Sequence, residues 1–285
     1  MTPARIVSVV LLAASVAAGT IADRPAPRTP LTLGGYRVLA VDFHTHTSMW
    51  SDGSLTPWGL VIEADHQGLD AIAITGHGQT VGAYLGHWYS RRFGGPIVLI
   101  GDEVLADNGF HITAAGITET VRYGGSRGTA IDDIHRQGGI AVVAHPFSGF
   151  WPAYDAKKLQ GLDGAEICHP AIYGFDEGQH ELEQFAARAP VAAIGSSDFH
   201  GIGVMGLCRT YVFASTASEQ GILDAVRARR TVVFGKDGRV YGDPTLVPYA
   251  DRLRGRAPAS NSRGGSLDWV SRIAGVAGLA GLLCL

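Results

Sequence analysis

Residues Arg37 to His46 read Arg-Val-Leu-Ala-Val-Asp-Phe-His-Thr-His, a short apolar run that closes on two histidines two positions apart. A near-continuous apolar stretch of this length is what a strand buried on both faces looks like. Because side chains alternate along a strand, His44 and His46 point the same way and can share one ion. Comparable runs follow at Leu69 to Thr75, Pro96 to Ile100, Ile140 to Ala144, Gly164 to Ile167, Val191 to Ile194 and Thr210 to Ala214. Between them lie helix-like segments with start and stop signals: Pro57 to Gln67, Thr129 to Gln137, Glu177 to Arg188, and Ala217 to Arg230 with its basic last turn. Strands alternating with helices in this way predict an α/β fold, and roughly seven of them favour a closed barrel over an open sheet.

Almost every one of these strands ends in a group that can bind a cation. Asp52 follows His46 in a Ser-Asp-Gly turn; the second strand ends Ile-Thr-Gly-His77 and the third Ile-Gly-Asp-Glu103. His111 opens a further strand so soon after Glu103 that only a hairpin fits between them, which returns His111 beside Glu103. Later strands end in Ala-His145-Pro and Ser-Asp198-Phe-His200. In a barrel the C-terminal strand ends converge on one face, so these distant residues meet. So many titratable groups gathered in a core would repel or stay unsatisfied without cations, which makes a metal cluster the better reading than packing.

The chain has 285 residues, 46% hydrophobic and 17% charged, which is enough apolar material for a sizeable core and excludes a disordered chain. With 23 Lys+Arg against 26 Asp+Glu there is no basic footprint for nucleic acid. Three cysteines cannot build a disulfide scaffold, although Cys168 and Cys208 could pair after export.

The ordered series His-Thr-His-Thr, Ser-Asp-Gly, Ile-Thr-x-His, Gly-x-Glu followed by His, Ala-His-Pro and Ser-Asp-x-His resembles the PHP (polymerase and histidinol phosphatase) superfamily over roughly residues 38 to 235. The resemblance implies a distorted (β/α)7 barrel of the PHP type that holds roughly two or three divalent ions, zinc, manganese or iron, and hydrolyses phosphoesters through a metal-bridged hydroxide. It further implies that His44, His46, Glu103 and Asp198 hold one ion, Asp52, His77 and His200 a second, and His111 and His145, with Glu103 bridging, a third. One position departs: many members read Thr-Asp-His where this chain has Thr75-Gly76-His77, so His77 needs another acceptor, for which Asp102 and Asp70 are candidates. His169, after the sixth strand, is a candidate leaving-group acid beside Asp198 and His200, and Arg209 a candidate substrate-anion contact.

Other readings stay open. The same ions can attack a carboxyl ester, carbamate or amide; Gly124-Gly-Ser126-Arg-Gly128 fits the serine-esterase pattern but lacks a core strand before it; and a non-catalytic metal-binding envelope protein would carry the same ligands. Gly201-Ile-Gly203-Val-Met-Gly206 opens no helix, which argues against dinucleotide binding. Specificity is expected in loops at Thr80 to Gly95 and Ser148 to Leu159 on a small-molecule ester.

The two ends stand apart from the predicted barrel, residues 34–243. Residues 1–22 read as a secretory signal peptide or N-terminal anchor, and residues 23–33 as a Pro-rich linker. Residues 244–266 read as a second linker, and residues 267–285 as an apolar tail. In that tail the uncharged stretch Ile273 to Leu285 reaches about 20 Å as a helix, short of a hydrocarbon core of about 30 Å. The expected setting is therefore periplasmic, extracellular or membrane-attached.

Overall fold

The computed structural model of the chain describes residues 2–22, 29–107, 109–122, 124–145, 160–170, 190–235, 238–254 and 266–284. The expected helix Glu177 to Arg188 and the expected loop Ser148 to Leu159 lie outside the described residues. The chain divides into one unit of Thr29–Pro258 and another formed by Met1–Arg28 with Ala259–Leu285.

The larger unit is built on one sheet. In chain order its strands are β1 (Leu31–Leu33), β2 (Tyr36–Thr45), β3 (Ala71–Ile74), β4 (Ile97–Ala106), β5 (Phe110–Ala115), β6 (Ile140–Val143), β7 (Gly164–Cys168), β8 (Ala192–Gly195), β9 (Thr210–Ala214), β10 (Thr231–Phe234) and β11 (Val240–Gly242). The order across the sheet is β11-β10-β9-β2-β3-β4-β5-β6-β7-β8, with β1 paired outside it to β2. The pairs β2–β3, β3–β4, β6–β7 and β7–β8 are parallel. The ring nearly closes where Thr45 at the end of β2 bridges Phe199 beyond β8, with the His46 amide donating to the Phe199 carbonyl at 3.0 Å. This is the expected α/β barrel, distorted at two places: β5 runs antiparallel to both neighbours, and β9 is antiparallel to β2.

Helices α2 (Pro57–His66), α3 (Val81–Phe93), α4 (Arg127–Arg136) and α5 (Glu219–Arg227) cover the strands. Three of them start on a hydroxyl cap, Thr56, Ser126 and Ser218, each accepting the amide three residues on. Leu39, Val41, Ala73, Leu99, Val142 and Ile194 meet in one cluster inside the barrel, which α5 completes through Ile222 and Val226. Val38, Ala40 and Ile72 face outward onto Leu60 and Ala64 of α2. A register shift between Asp42 and Thr45, opposite Ile72 and Ile74, breaks the alternation of β2. That bulge turns His44 away from the face of Val38 and Ala40 and into the barrel mouth, a usual place for such a device.

Three expectations change. The specificity loop at Thr80 to Gly95 is helix α3; its buried face is made of Gly82, Ala83, Gly86 and Ser90, so it shows no apolar period. Gly86 is required there, since a Cβ would meet Ile74 Cδ1 at 2.5 Å. The expected linker 23–33 contributes β1, whose Leu31 pairs with Val38 of β2. The expected linker after Asp243 forms a 3-10 turn, Val247–Tyr249, and a short helix α6 (Ala250–Arg254), whose Leu253 is fully buried in the α2 cluster.

The smaller unit is a pair of helices, α1 (Pro3–Ala22) and α7 (Ser266–Cys284), packed along their length.

Candidate metal centre

The bulged end of β2 delivers His44 and His46, both fully buried, to the centre of a ring of carboxylates. His44 Nε2 stands 3.1 Å from Glu103 Oε2 and 3.3 Å from Asp198 Oδ1; His46 Nε2 stands 3.3 Å and 3.1 Å from the same two oxygens. Neighbouring donors around an ion held at about 2.1 Å stand about 3.0 to 3.4 Å apart in octahedral or tetrahedral geometry, so the spacing fits a single cation. His44 Nε2, His46 Nε2 and Asp198 Oδ1 are buried and make no hydrogen bond with one another or with other groups, as expected of atoms reserved for an ion.

Two further donor sets flank this one. Asp52 Oδ2 lies 3.3 Å from both His77 Nε2 and His200 Nε2, on the more open side of the cluster. The β4–β5 hairpin returns His111 next to Glu103, as the spacing predicts: Glu103 Oε1 is 2.5 Å from His111 Nδ1 and 3.0 Å from His145 Nε2. Glu103 thus presents one oxygen to His44 and His46 and the other to His111 and His145. His145 and Asp198 both hold left-handed backbone, φ 30° and 49°, a strained conformation that L residues keep where a site demands it.

The electrostatics follow from crowding. Burial alone would favour neutral Glu103, but the His44 charge and hydrogen bonds from His111 and His145 hold its carboxyl well below the usual range. Burial likewise opposes charge on His44, yet Asp198, Glu103 and Glu166 together raise its pKa well above 6.5. Asp198 is lowered against its burial by His44, His169 and His46. His44 holds a proton only because carboxylates surround it, and a divalent cation satisfies the same carboxylates better.

Two buried acids that the apolar strand pattern hides complete the site. Glu166 on β7 sits with Oε1 3.0 Å from His44 Nδ1 and accepts the His145 amide at 2.5 Å. Asp42 accepts the amides of Ser197 at 3.0 Å and Gly206 at 2.9 Å, and the Ser197 hydroxyl, tying β2 to the segment that carries Asp198. Their signal was present as an acid inside an otherwise apolar strand, two residues before His44 in one case and three before His169 in the other.

A family model described as PHP-associated matches residues 180–231. An uncharacterized protein of Methanocaldococcus jannaschii is 28% identical over 140 residues, 45% of this chain and 81% of that protein. Among solved structures, a Bacteroides vulgatus two-domain protein containing predicted PHP-like metal-dependent phosphoesterase superposes with a TM-score of 0.67 at 23% identity, over 80% of this chain and 74% of that one. The chain thus carries a PHP-associated segment and shares its fold with a protein described as PHP-like. An amidohydrolase from Chromobacterium violaceum, with bound sulfate and no metal, shares the fold more distantly, with a TM-score of 0.50 at 19% identity over 68% of this chain and 97% of that one.

Three expectations about the site are revised. Neither Asp70 nor Asp102 partners His77: Asp70 accepts the Ala40 amide at 2.8 Å, and Asp102 holds the Val121 amide at 3.0 Å. Burial raises Asp102 to about 7 even though the amides of Val121, Gly78 and Gln79 donate to it. His77 Nδ1 instead faces Glu103 Oε2 at 3.2 Å, and the Gln79 amide fills the volume that a side chain at Gly76 would occupy. Arg209 turns its guanidinium to the carbonyls of Gly206 and Gln67, at 2.8 and 3.1 Å, and so braces two loops instead of waiting for an anion. His169 is 3% exposed, with Nε2 3.6 Å from Asp198 Oδ2 and 3.9 Å from Glu166 Oε2, so it stands behind Asp198 and not at the open side. Ser126, as the missing core strand before it predicts, is no esterase elbow: it is the α4 cap, accepting the Thr129 amide at 3.2 Å.

Cys168 and Cys208 form a disulfide, Cα atoms 5.5 Å apart, that ties the end of β7 to the segment before β9.

Proposed function

We propose that this chain is an exported metal-dependent hydrolase acting on small phosphate esters. The observation that carries the reading is Glu103, whose two oxygens face separate sets of histidines, so that adjacent cations would share one buried carboxylate. Divalent ions bound there would lower the pKa of a held water towards neutrality and neutralise phosphoryl oxygens. The chain's own residues supply the rest. Asp52, His77 and His200, the most exposed members, face the side from which a substrate enters. Glu166 keeps His44 Nδ1 engaged, which turns Nε2 toward Glu103 and Asp198. Asp42 locks the Asp198 segment against β2. His169, between Glu166 and Asp198, packs behind the second of these and helps position it.

Export is supported by α1, long and apolar enough to cross a membrane, and by a disulfide, which persists in oxidising compartments. The phosphoester preference draws on the description of the Bacteroides vulgatus neighbour. The Chromobacterium violaceum neighbour, described as an amidohydrolase, supports a second reading: hydrolysis of a carboxyl ester, carbamate or amide on the same site. Purified protein assayed with aryl phosphate mono- and diesters beside aryl carboxyl esters separates the two. Metal-dependent turnover of a phosphate ester supports the first, and turnover of carboxyl esters alone selects the second.

A further inference from the structure

We infer that α1 is retained in the mature protein and pairs with α7 as a two-helix membrane anchor, with lipid hydrocarbon as the partner of its outer surface. The helices run antiparallel along a fitted seam. The Ser15 hydroxyl donates to the Ser271 carbonyl at 2.6 Å, and the Ser271 hydroxyl donates back to the Ser15 carbonyl at 2.8 Å, across 256 positions of sequence. On α7, Gly275, Gly278 and Gly281 meet Ser15, Leu12 and Ser8; a Cβ at Gly278 would approach Leu12 Cγ at 2.7 Å and the Ser8 carbonyl at 2.9 Å. Small residues that let backbones approach, with hydroxyls bonded across the contact, are how helices associate in lipid.

Beyond Arg5 in its first turn, the side-chain polar groups of α1 need no water. Its three hydroxyls are satisfied by carbonyls: Ser15 on Ser271, Ser8 on Ala4 at 3.1 Å and Thr20 on Val16 at 2.8 Å. Outside the seam the pair is apolar and bare: Val10 and Val16 on α1 are 60% and 69% exposed, and Ile273, Val276 and Leu283 on α7 are 65%, 70% and 84%. A soluble two-helix unit would not leave such a continuous apolar surface in water. Behind Arg5, the uncharged residues Ile6 to Ala22 of α1 reach about 25 Å, at the short end of what crosses a hydrocarbon core. The shorter uncharged part of α7 starts after Arg272, whose guanidinium lies 5.6 Å over the Trp269 ring, an arrangement suited to the membrane surface. Because the seam is antiparallel, Ala22 and Ser266 lie at the same end of the helix pair. A peptide destined for removal has no use for a matched partner at the far end of the chain.

The test uses the full chain expressed in bacterial membranes. Membranes are washed with carbonate, the protein is extracted in detergent, and its mass is measured. A Ser15→Cys/Ser271→Cys pair in a Cys284→Ser background is then oxidised and mapped by peptide mass spectrometry. The expected result is a carbonate-resistant chain that retains residues 5–22 and carries the crosslink, with crosslink yield falling severalfold when Gly278→Leu and Gly281→Leu are added. A mature chain cleaved near residues 17–22, a carbonate-soluble chain, or an intact membrane-bound chain without the crosslink would each overturn the pairing. Ester turnover is read separately on the same extract, so failure of the anchor and failure of the proposed hydrolase remain distinct.

Discussion

Glu166 and His44 face each other at 3.0 Å in full burial, carboxylate Oε1 to imidazole Nδ1, and this contact fixes which nitrogen of His44 turns toward Glu103 and Asp198. A ligand histidine whose second nitrogen is held by a carboxylate is both oriented and made more basic. Glu166→Gln keeps the shape and an acceptor but loses the charge, and should weaken metal binding about tenfold; Glu166→Ala should weaken it about a hundredfold. Competition titration with a chromogenic chelator reads both, and equal affinity in all three proteins would remove Glu166 from the site.

Gly76 and Gln79 behave as a unit. The Gln79 amide occupies the space in front of Gly76 and contributes its Oε1 to the Gly82 amide at 3.3 Å. With that space cleared, an acid at 76 would stand beside Ser51, which lies 3.4 Å from His46 Nδ1. Gly76→Asp in a Gln79→Ala background should therefore raise metal affinity about tenfold over Gln79→Ala alone. Isothermal titration of the metal-stripped variants gives the comparison, and an unchanged or lower affinity contradicts it.

The pH dependence of the metal-stripped protein follows from opposite shifts at neighbouring groups. Burial opposes charge on His44, but the carboxylates around it raise its pKa well above 6.5, so its stabilising contribution is complete below 6.5 and is lost as pH rises through the raised value. Glu103 is held well below 4.5 despite burial, so its contribution is present above 4.5 and is lost as pH falls through the lowered value. Metal-stripped protein should therefore lose melting temperature on the alkaline side, while metal-loaded protein holds it, since bound cations take over the role of the His44 proton. Thermal unfolding of both forms from about pH 5 to about pH 9 shows the difference, and parallel curves would refute it.

The Cys168–Cys208 bond closes a loop with a sequence separation of 40 and joins the strand bearing Glu166 to the segment before β9. The Cys168→Ser/Cys208→Ser double variant should unfold about 3 to 4 kcal/mol more easily than the oxidised protein. Denaturant titration with and without reductant checks this; a wild-type stability insensitive to reductant, with two titratable thiols, would show the pair unbonded.

The ligands at strand ends were legible because a charged or imidazole group that follows an apolar run stands out against it, as at His77, Glu103 and His145. Asp42 and Glu166 were not, since each lies within the strand and reads as an isolated polar interruption until the barrel brings His44 beside it. Helix α3 was hidden by the small residues Gly82, Gly86 and Ser90 on its buried face, which carry no apolar signal although they allow the closest packing. Strands β1, β10 and β11 escaped because they are three or four residues long and draw their stability from pairing with β2, β9 and β10 respectively. Arg209 looked like an anion contact because one of its two carbonyl partners, Gln67, lies 142 positions away, beyond the reach of any local pattern.

The central claim, that the converging histidines and carboxylates hold divalent ions, is tested most directly by the metal content of purified protein and of two ligand variants. Elemental analysis of wild-type protein loaded with zinc or manganese and freed of excess should give roughly two or three ions per chain. His46→Ala and Asp198→Asn should each carry at least one ion fewer, with unchanged far-ultraviolet circular dichroism. A wild-type protein without stoichiometric metal, or folded variants with its full complement, would contradict the account.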